Sequence, residues 1–260
     1  MKLFDLTGKV AIVTGSSRGI GRAAAEQLAA HGARVVVSSR KADACEAVVK
    51  GINEQHGDGR AIAIPCNISS KEALQALVDG ARKAFGPIDI LVCNAASNPH
   101  YGPMSTIDDA AFRKVLDNNI LSNHWLIQMV APEMKERRSG SIVIVSSIGG
   151  LHGSRVIGAY NISKAADFQP ARNLALELGR DGIRVNCVAP GVIRTDFSRA
   201  LWEDPKHEKM VRGATSLDRV GESIDIAGAV VYLASPASAY MTGQSIVVDG
   251  GMITAGPNWS

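Results

Sequence analysis

The segment Val10-Ala-Ile-Val-Thr-Gly-Ser-Ser-Arg-Gly-Ile-Gly21 decides the fold of this chain. It begins as a short β-branched, apolar run, and a helical sequence continues from its last glycines. Gly15, Gly19 and Gly21 lie between the predicted strand and the predicted helix. Glycine there permits a tight turn and lets backbone N–H groups approach a phosphate at the helix N-terminus. The spacing Gly-x-x-x-Gly-x-Gly in this context predicts a site for a dinucleotide pyrophosphate.

The same alternation of short apolar runs and longer helical stretches continues along the chain. Strands are predicted over residues 9–13, 34–38, 60–65, 89–93, 141–145, 184–188 and 245–248. Helices are predicted over residues 19–31, 42–56, 70–85, 108–138 and 158–179, the fourth with a break near Asn118-Asn119. Near-continuous apolar strands that alternate with helices indicate a parallel sheet covered on both faces. With right-handed crossovers, residues 1–260 are predicted to form a single-domain, doubly wound (Rossmann) α/β fold.

The composition excludes several classes of protein. Hydrophobic residues make up 46% of the 260 residues, which is ample for a core on both faces of a sheet. The net charge of +3 is too small and too dispersed to indicate a nucleic-acid partner, and no apolar run is long enough for a membrane span. The four cysteines lie far apart, without pairs or metal-ligand spacing. They predict a reducing compartment, the cytoplasm, and no catalytic metal.

Three residues in the second half of the chain indicate a catalytic site. Tyr160 and Lys164 are four residues apart on a predicted helix and therefore share one face. A phenol has a pKa near ~10, and a neighbouring ammonium favours its ionised form. Ser147, thirteen residues before Tyr160, could hold a carbonyl or alcohol oxygen against the phenol. Each residue alone fits a plain structural role, but their order and spacing beside a dinucleotide site indicate hydride transfer between a nicotinamide and a carbonyl.

The chain resembles the short-chain dehydrogenase/reductase family over essentially its whole length. The resemblance is carried by Thr14-Gly-Ser-Ser-Arg-Gly-Ile-Gly21, Cys93-Asn-Ala-Ala96, Asn119, Ser147, Tyr160, Lys164 and Pro190-Gly-Val-Ile-Arg-Thr195. It implies that Tyr160 is the general acid in reduction and the base in oxidation. Lys164 would lower the pKa of Tyr160 and bind the nicotinamide ribose. Ser147 would orient the substrate oxygen, and Asn119 would hold a water that links Lys164 to solvent.

The residues after the second predicted strand indicate the cofactor. An acidic residue there would accept hydrogen bonds from a ribose 2′-hydroxyl and repel a 2′-phosphate. This chain instead has Ser39 and Arg40, and Arg18 lies in the glycine turn, so two guanidinium groups suit a phosphate. We therefore predict NADP(H) rather than NAD(H). The resemblance implies further cofactor contacts at Gly15, Ser17, Gly19, Ile20, Gly21, Asn67, Ile68, Asn94, Ala95, Tyr160, Lys164, Pro190, Gly191, Ile193 and Thr195.

Residues 195–213 are predicted to form a lid over the substrate, because this amphipathic segment follows the end of a strand. Within the family the chain resembles the NADPH-dependent carbonyl and retinal reductases, which implies a hydrophobic ketone or aldehyde as substrate and a homotetramer as assembly. Two alternatives stay open: a 3-oxoacyl-thioester reductase and a regulator that binds NADP(H) without turnover. The first would use a basic patch for the acyl carrier, for which Lys206, Lys209, Arg212 and Arg219 are candidates.

One residue departs from the pattern expected for the helix that carries Tyr160. Pro170 lies inside that helix, where proline removes a backbone hydrogen bond and clashes with the carbonyl of Ala166. Because Ala166 is beyond Lys164, we expect the active-site turn to survive and the distal part of the helix to kink.

Overall fold

A seven-stranded, fully parallel sheet with helices on both faces forms the computed structural model, which describes residues 2–254. The strands are β1 (Val10–Thr14), β2 (Arg34–Ser38), β3 (Ala61–Ala63), β4 (Ile90–Cys93), β5 (Gly140–Val145), β6 (Ile183–Pro190) and β7 (Ser245–Val248). Their order in the sheet is β3-β2-β1-β4-β5-β6-β7, which confirms the predicted doubly wound arrangement. The winding direction reverses between β1 and β4, and ligands bind beyond the carboxyl ends of the strands at such a point.

Eight α-helices cover the sheet in the described part of the chain. They are α1 (Gly19–Ala30), α2 (Ala42–His56), α3 (Lys71–Phe85), α4 (Asp109–Leu116), α5 (Ser122–Arg137), α6 (Gly158–Leu178), α7 (Pro205–Gly213) and α8 (Ser223–Ala234). Alternate residues of each strand face opposite layers, so Ala11 and Val13 pack under α1, α2 and α8, whereas Val10 and Ile12 pack under α3, α5 and α6. Both faces of the sheet are therefore buried.

The structure differs from the sequence-based expectation in three elements. β3 has only three residues instead of six, although the N–H groups of Ile64 and Cys66 still donate to the carbonyls of Val37 and Ser39. α7 lies inside the predicted lid. No helix was predicted where α8 packs against α1. The α8 sequence is apolar on nearly every side and rich in β-branched residues, so its periodicity does not distinguish a buried helix from a strand.

The predicted break near Asn118-Asn119 is present as a π-helical turn, Asp117–Leu121, between α4 and α5. Such turns occur often at functional sites. α6 runs from Gly158 to Leu178 with Pro170 inside it, and the turn that carries Tyr160 and Lys164 is intact, as expected. None of the helices within residues 2–254 combines the length and the apolar character that crossing a bilayer requires.

Candidate active site

The glycine turn after β1 fits a dinucleotide pyrophosphate. Gly15 and Gly19 have positive φ angles of +66° and +56°, which side-chain-bearing residues rarely adopt. A side chain at Gly19 would also lie 3.1 Å from the methyl group of Thr195. Arg18, at the N-cap of α1, makes no side-chain capping bond, and the first turn of the helix contains no acidic residue. The N–H groups of that turn are therefore available to an anion.

Thr14 and Asn94 stabilise the glycine turn through hydrogen bonds. The Thr14 hydroxyl accepts hydrogen bonds from the N–H groups of Asn94 (3.0 Å) and Ala95 (3.1 Å). The Asn94 amide donates to the carbonyls of Thr14 (2.8 Å) and Gly15 (3.2 Å). A side chain at Gly21 would collide with the Asn94 amide. Asn94 thus braces the turn with its side chain, a role that the sequence analysis did not predict.

The two predicted phosphate-binding arginines differ in their surroundings. Arg40 is exposed just beyond β2 and forms no ion pair with any residue between 2 and 254. Arg18 pairs with Asp196 of the predicted lid, with its Nη1 2.9 Å from the carboxylate. The Ser39 hydroxyl lies 3.2 Å from the thiol of Cys45. Because β1 and β2 are adjacent, both arginines follow the same edge of the sheet.

The remaining predicted cofactor residues of β1, α1 and β3 lie near the same edge. Ser17 and Ile20 are half-buried in and after the glycine turn, and Ile20 packs against the core. Asn67 is exposed, and its side-chain oxygen accepts a hydrogen bond from the N–H of Ser69 (3.2 Å). Ile68 is half-buried and packs against the core layer under α3.

The segment after β6 contributes the other predicted contacts. Pro190 ends β6, and a side chain at Gly191 would lie 2.7 Å from the Cα of Asp249. Ile193 is buried. The Thr195 hydroxyl is 3.0 Å from that of Ser198, which also contacts the Ile193 carbonyl. These residues follow the carboxyl end of β6, as the glycine turn follows that of β1.

The structure brings Ser147, Tyr160 and Lys164 together. Tyr160 and Lys164 lie one turn apart in α6, with the Lys164 Nζ 5.8 Å from the centroid of the phenol ring. This Nζ donates to the Val145 carbonyl at 2.8 Å, which anchors it to the end of β5. Ser147 follows β5, accepts a hydrogen bond from the N–H of Gly149 (3.0 Å) and lies close enough to Tyr160 to lower the pKa of the phenol. The phenol therefore has a hydroxyl and an ammonium as neighbours.

Burial raises the pKa of Tyr160 above its usual value. Lys164 and the hydrogen bond from Ser147 act in the opposite direction, as predicted, but they do not outweigh burial. Burial also disfavours the charged form of Lys164, yet Asp167 and Tyr160 raise its pKa overall. At neutral pH the site therefore holds a protonated phenol beside an ammonium, which is the state required for donating a proton.

Asp167 belongs to this site, although the sequence analysis did not single it out. Its Oδ2 lies 3.1 Å from the Lys164 Nζ, and both side chains are only 3% exposed. The two residues are three positions apart and share a helix face. A carboxylate at this spacing was the signal that could have identified it.

Asn119 is fully buried in the π-helical turn. Its side-chain oxygen accepts from the N–H of Ser97 (2.8 Å), and its amide donates to the carbonyl of Ser97 (3.0 Å) and the hydroxyl of Ser163 (2.9 Å). The Asn119 carbonyl accepts from the amide of Asn123 at 2.8 Å. Asn119 thus fastens the loop after β4 to α6, and its side chain makes no contact with Lys164.

The segment after β6 packs on the phenol of Tyr160. The ring of Phe197 packs on that of Tyr160, with a centroid distance of 5.7 Å and an interplanar angle of 45°. The indole N–H of Trp202 donates to the Thr195 carbonyl (3.2 Å), and the Arg194 guanidinium lies 4.9 Å from the indole centroid. Among residues 2–254, no three His, Cys, Asp or Glu side chains converge on a point where a metal could bind.

Known proteins are similar to this chain in fold and in sequence. A family model described as enoyl-(acyl carrier protein) reductase matches residues 15–253. The chain is 42% identical over 250 residues to dehydrogenase/reductase SDR family member 4 of Bos taurus, covering 96% of this chain and 88% of that protein. A 7α-hydroxysteroid dehydrogenase solved with NADH and 7-oxo glycochenodeoxycholic acid is 40% identical, with a TM-score of 0.91 and 95% of each chain covered. Levodione reductase is 30% identical, with a TM-score of 0.92 over 96% of this chain and 100% of that one.

The chain belongs to the short-chain dehydrogenase/reductase family, as the sequence predicted. It is an oxidoreductase that acts on carbonyl or alcohol substrates with a nicotinamide cofactor of the NAD(P)(H) kind.

Proposed function

We propose that this enzyme is an NADP(H)-dependent reductase of hydrophobic ketones or aldehydes, with Tyr160 as its proton donor. The observation that carries the proposal is the cluster of Ser147, Tyr160 and the buried Lys164 at the same sheet edge as the glycine turn. Residues 1–260 form a single domain in this proposal, in which residues 195–213 act as the substrate lid.

Each residue of the cluster has a distinct task in the proposed reaction. The bound cofactor supplies the hydride that reaches the carbonyl carbon. Ser147 donates a hydrogen bond to the substrate oxygen and stabilises the negative charge that develops there. Tyr160 gives that oxygen its proton in reduction and takes it back in oxidation. Lys164 stabilises the phenolate and contacts the nicotinamide ribose, while Asn119 holds the surrounding loop in place.

The preference for NADP(H) rests on the basic edge beyond β2. Arg40 is exposed and unpaired among residues 2–254, so it can approach a 2′-phosphate without first breaking an ion pair. Arg18 can join it by leaving Asp196. β2 ends at Ser38 and is followed by Ser39 and Arg40, without the acidic residue that binds a free ribose hydroxyl.

A hydrophobic substrate is favoured by the residues above Tyr160. Phe197 packs on the phenol while 55% of its own surface remains exposed. Met210, on α7 of the same segment, is also exposed. Apolar side chains that protrude beside a catalytic group can bury apolar parts of a substrate. The hydroxysteroid dehydrogenase that resembles this chain was solved with a large polycyclic ketone.

The alternative of a 3-oxoacyl-thioester reductase receives less support. An acyl carrier would need a free basic patch, but Arg212 pairs with Asp218 at 3.0 Å and Arg219 with Asp225 at 2.6 Å. Only Lys206 and Lys209 of the four candidates form no ion pair within residues 2–254. The alternative of a regulator without turnover does not explain why the proton-donating cluster is complete.

The proposed assembly is a homotetramer and the proposed compartment is the cytoplasm. Large apolar side chains are exposed, including Leu176 on α6 at 85% and Tyr240 before β7 at 107%, and an assembly would cover such residues. All four cysteines are free thiols, as expected in a reducing compartment.

The proposal is tested by NADPH oxidation with a panel of small polar and large apolar ketones. The wild type should turn over the apolar ketones, and Tyr160→Phe should reduce the rate by ~10²–10⁴-fold because the proton donor is lost. Tyr232→Phe in α8 is the matched control and should keep the wild-type rate. A wild type that binds NADPH but is no faster than Tyr160→Phe would overturn the proposal in favour of the regulator.

A further inference from the structure

Lys164 carries its positive charge where its side chain is only 3% exposed. Two of its three N–H groups are engaged, one with the Val145 carbonyl (2.8 Å) and one with the Asp167 carboxylate (3.1 Å). A buried ammonium without a counter-charge tends to lose its proton. Asp167 is the one acidic side chain within ion-pair distance of Lys164 among residues 2–254.

The immediate neighbours of this pair are neutral groups, and one further acidic residue, Asp117, lines the adjoining groove. These neighbours are Tyr160 on α6, Cys93 on β4, Cys187 on β6 and Asn123 on α5. Burial raises the pKa of both thiols, that of Cys187 to about 12, so they are neutral at physiological pH. Asp117 and His124 line the same groove of about 470 Å³ between α5 and α6.

Asp167 is fixed by its contacts with Lys164 and with β6. Burial raises the pKa of the Asp167 carboxyl, and Lys164 and Asn123 oppose this effect. The Asn123 amide donates to the Asn119 carbonyl in the π-helical turn at 2.8 Å. The Cys187 thiol donates to the Asp167 carbonyl at 3.3 Å, which fixes the backbone of α6 at this position. A carboxylate fixed in this way can set the position of the ammonium that it contacts.

We propose that Asp167 is a positioning residue of the active site, whose carboxylate keeps the buried Lys164 ammonium charged and aimed at Tyr160. The inference rests on the proposed function, in which Lys164 serves the Tyr160 phenol. Asp167 itself touches neither substrate nor cofactor. It acts through Lys164.

Removal of the Asp167 charge should shift the pH profile of reduction. Burial lowers the pKa of Lys164, and Asp167 is the main group that raises it. Without Asp167, the pKa of Lys164 therefore falls. The same change removes a negative charge that raises the pKa of Tyr160. Both effects lower the pH at which the pair of Tyr160 and Lys164 loses its first proton. The alkaline limb of kcat should therefore move down by about one pH unit or more in Asp167→Asn, with the KM for the ketone nearly unchanged.

A second measurement needs neither cofactor nor turnover. In the wild type the pKa of Lys164 is raised, so its contribution to stability is complete below the unfolded value of about 10.4 and is lost only at higher pH. In Asp167→Asn the pKa of Lys164 is lowered, so the unfolded chain binds more protons and the stability of the variant rises with pH. The difference in Tm between wild type and variant should narrow from pH 7 to pH 10.

Three further variants distinguish the loss of the Asp167 charge from other effects of substitution. Asp167→Leu removes the charge while filling the space with apolar atoms, so it should shift the limb as Asp167→Asn does. Asp167→Glu should restore the wild-type limb, and Glu177→Gln on the exposed side of α6 should change nothing. A limb that stays at the wild-type pH in both charge-removing variants, with a Tm difference independent of pH, would overturn the inference. Failure of the proposed function would instead appear as equal turnover by the wild type and Tyr160→Phe, which leaves the Tm measurement intact.

Discussion

Arg40 is the residue on which the proposed cofactor preference most depends. It is exposed at the end of β2 and has no partner among residues 2–254 that would compete with a phosphate. Asp at this position would repel a 2′-phosphate and could accept hydrogen bonds from a ribose hydroxyl. Arg40→Asp should therefore raise the Kd for NADPH by about 10–100-fold, the equivalent of one charge-assisted hydrogen bond. The Kd for NADH should change far less, as measured by fluorescence titration of the unliganded protein.

A control separates this local effect from a change in net charge. Arg180→Asp alters the charge of an exposed arginine in the loop between α6 and β6 by the same amount. It should leave both dissociation constants within about twofold, because exposed charges at a distance are screened by salt. Equal losses for NADPH and NADH in Arg40→Asp would refute the role given to this residue.

Individual residues could be predicted from sequence where spacing alone identifies them. The offsets between Ser147, Tyr160 and Lys164 named three residues that the fold brings together. The spacing of Asp167 places it on the helix face of Lys164, but its effect also depends on burial and on the position of the Lys164 ammonium, which spacing does not show. The raised pKa of Tyr160 likewise depends on desolvation, which no residue spacing reveals.

The lid segment and the glycine turn are linked through one ion pair. Arg18 at the start of α1 contacts Asp196, which Arg199 also contacts at 2.7 Å. A 2′-phosphate on the cofactor would compete with Asp196 for Arg18. Asp196→Asn should therefore strengthen NADPH binding by about two- to fivefold, since an exposed ion pair contributes ~0.2–1 kcal/mol. NADH binding should not change, and titration of both cofactors gives the comparison.

The Arg18→Ala variant provides the test of the linkage. If Asp196 weakens NADPH binding only by occupying Arg18, then Asp196→Asn should have no further effect in an Arg18→Ala background. The same gain in both backgrounds would show that Asp196 acts on the cofactor independently of Arg18.

Elements were predicted best where the sequence carries a local start or stop signal. Ser70 caps α3 by accepting from the N–H of Ala73 (3.1 Å), and Asp108 caps α4 by accepting from that of Ala111 (2.7 Å). α8 begins with a capping box formed by Glu222 and Asp225, but its interior lacks amphipathic periodicity. Its helical state is stabilised by packing against α1, a contact between distant parts of the sequence.

At the scale of the whole molecule, the sheet joins the two halves of the site. The glycine turn proposed to bind the cofactor follows β1, near the start of the chain, whereas the proposed catalytic residues follow β5 and lie on α6. They meet because β1, β4 and β5 are neighbours in the sheet and all run in the same direction. The alternation of strands and helices predicts this parallel arrangement, but the contacts across the cleft depend on the packed side chains.

The rate at which the four cysteines react reports on the opening of both core layers of the molecule. Cys45, Cys66, Cys93 and Cys187 are all buried and free, and they lie in both core layers of the sheet. Burial raises the pKa of Cys66 to about 11 and that of Cys187 to about 12, so little thiolate is present in the folded protein. A small disulfide reagent at pH 8 should therefore label the native protein slowly. All four thiols should react together, at a rate that rises with urea in parallel with global unfolding, because only global opening exposes both layers. Labelling followed by mass spectrometry gives the number of modified thiols per molecule. Rapid modification of a single thiol in the absence of urea would show that one core layer opens independently of the other.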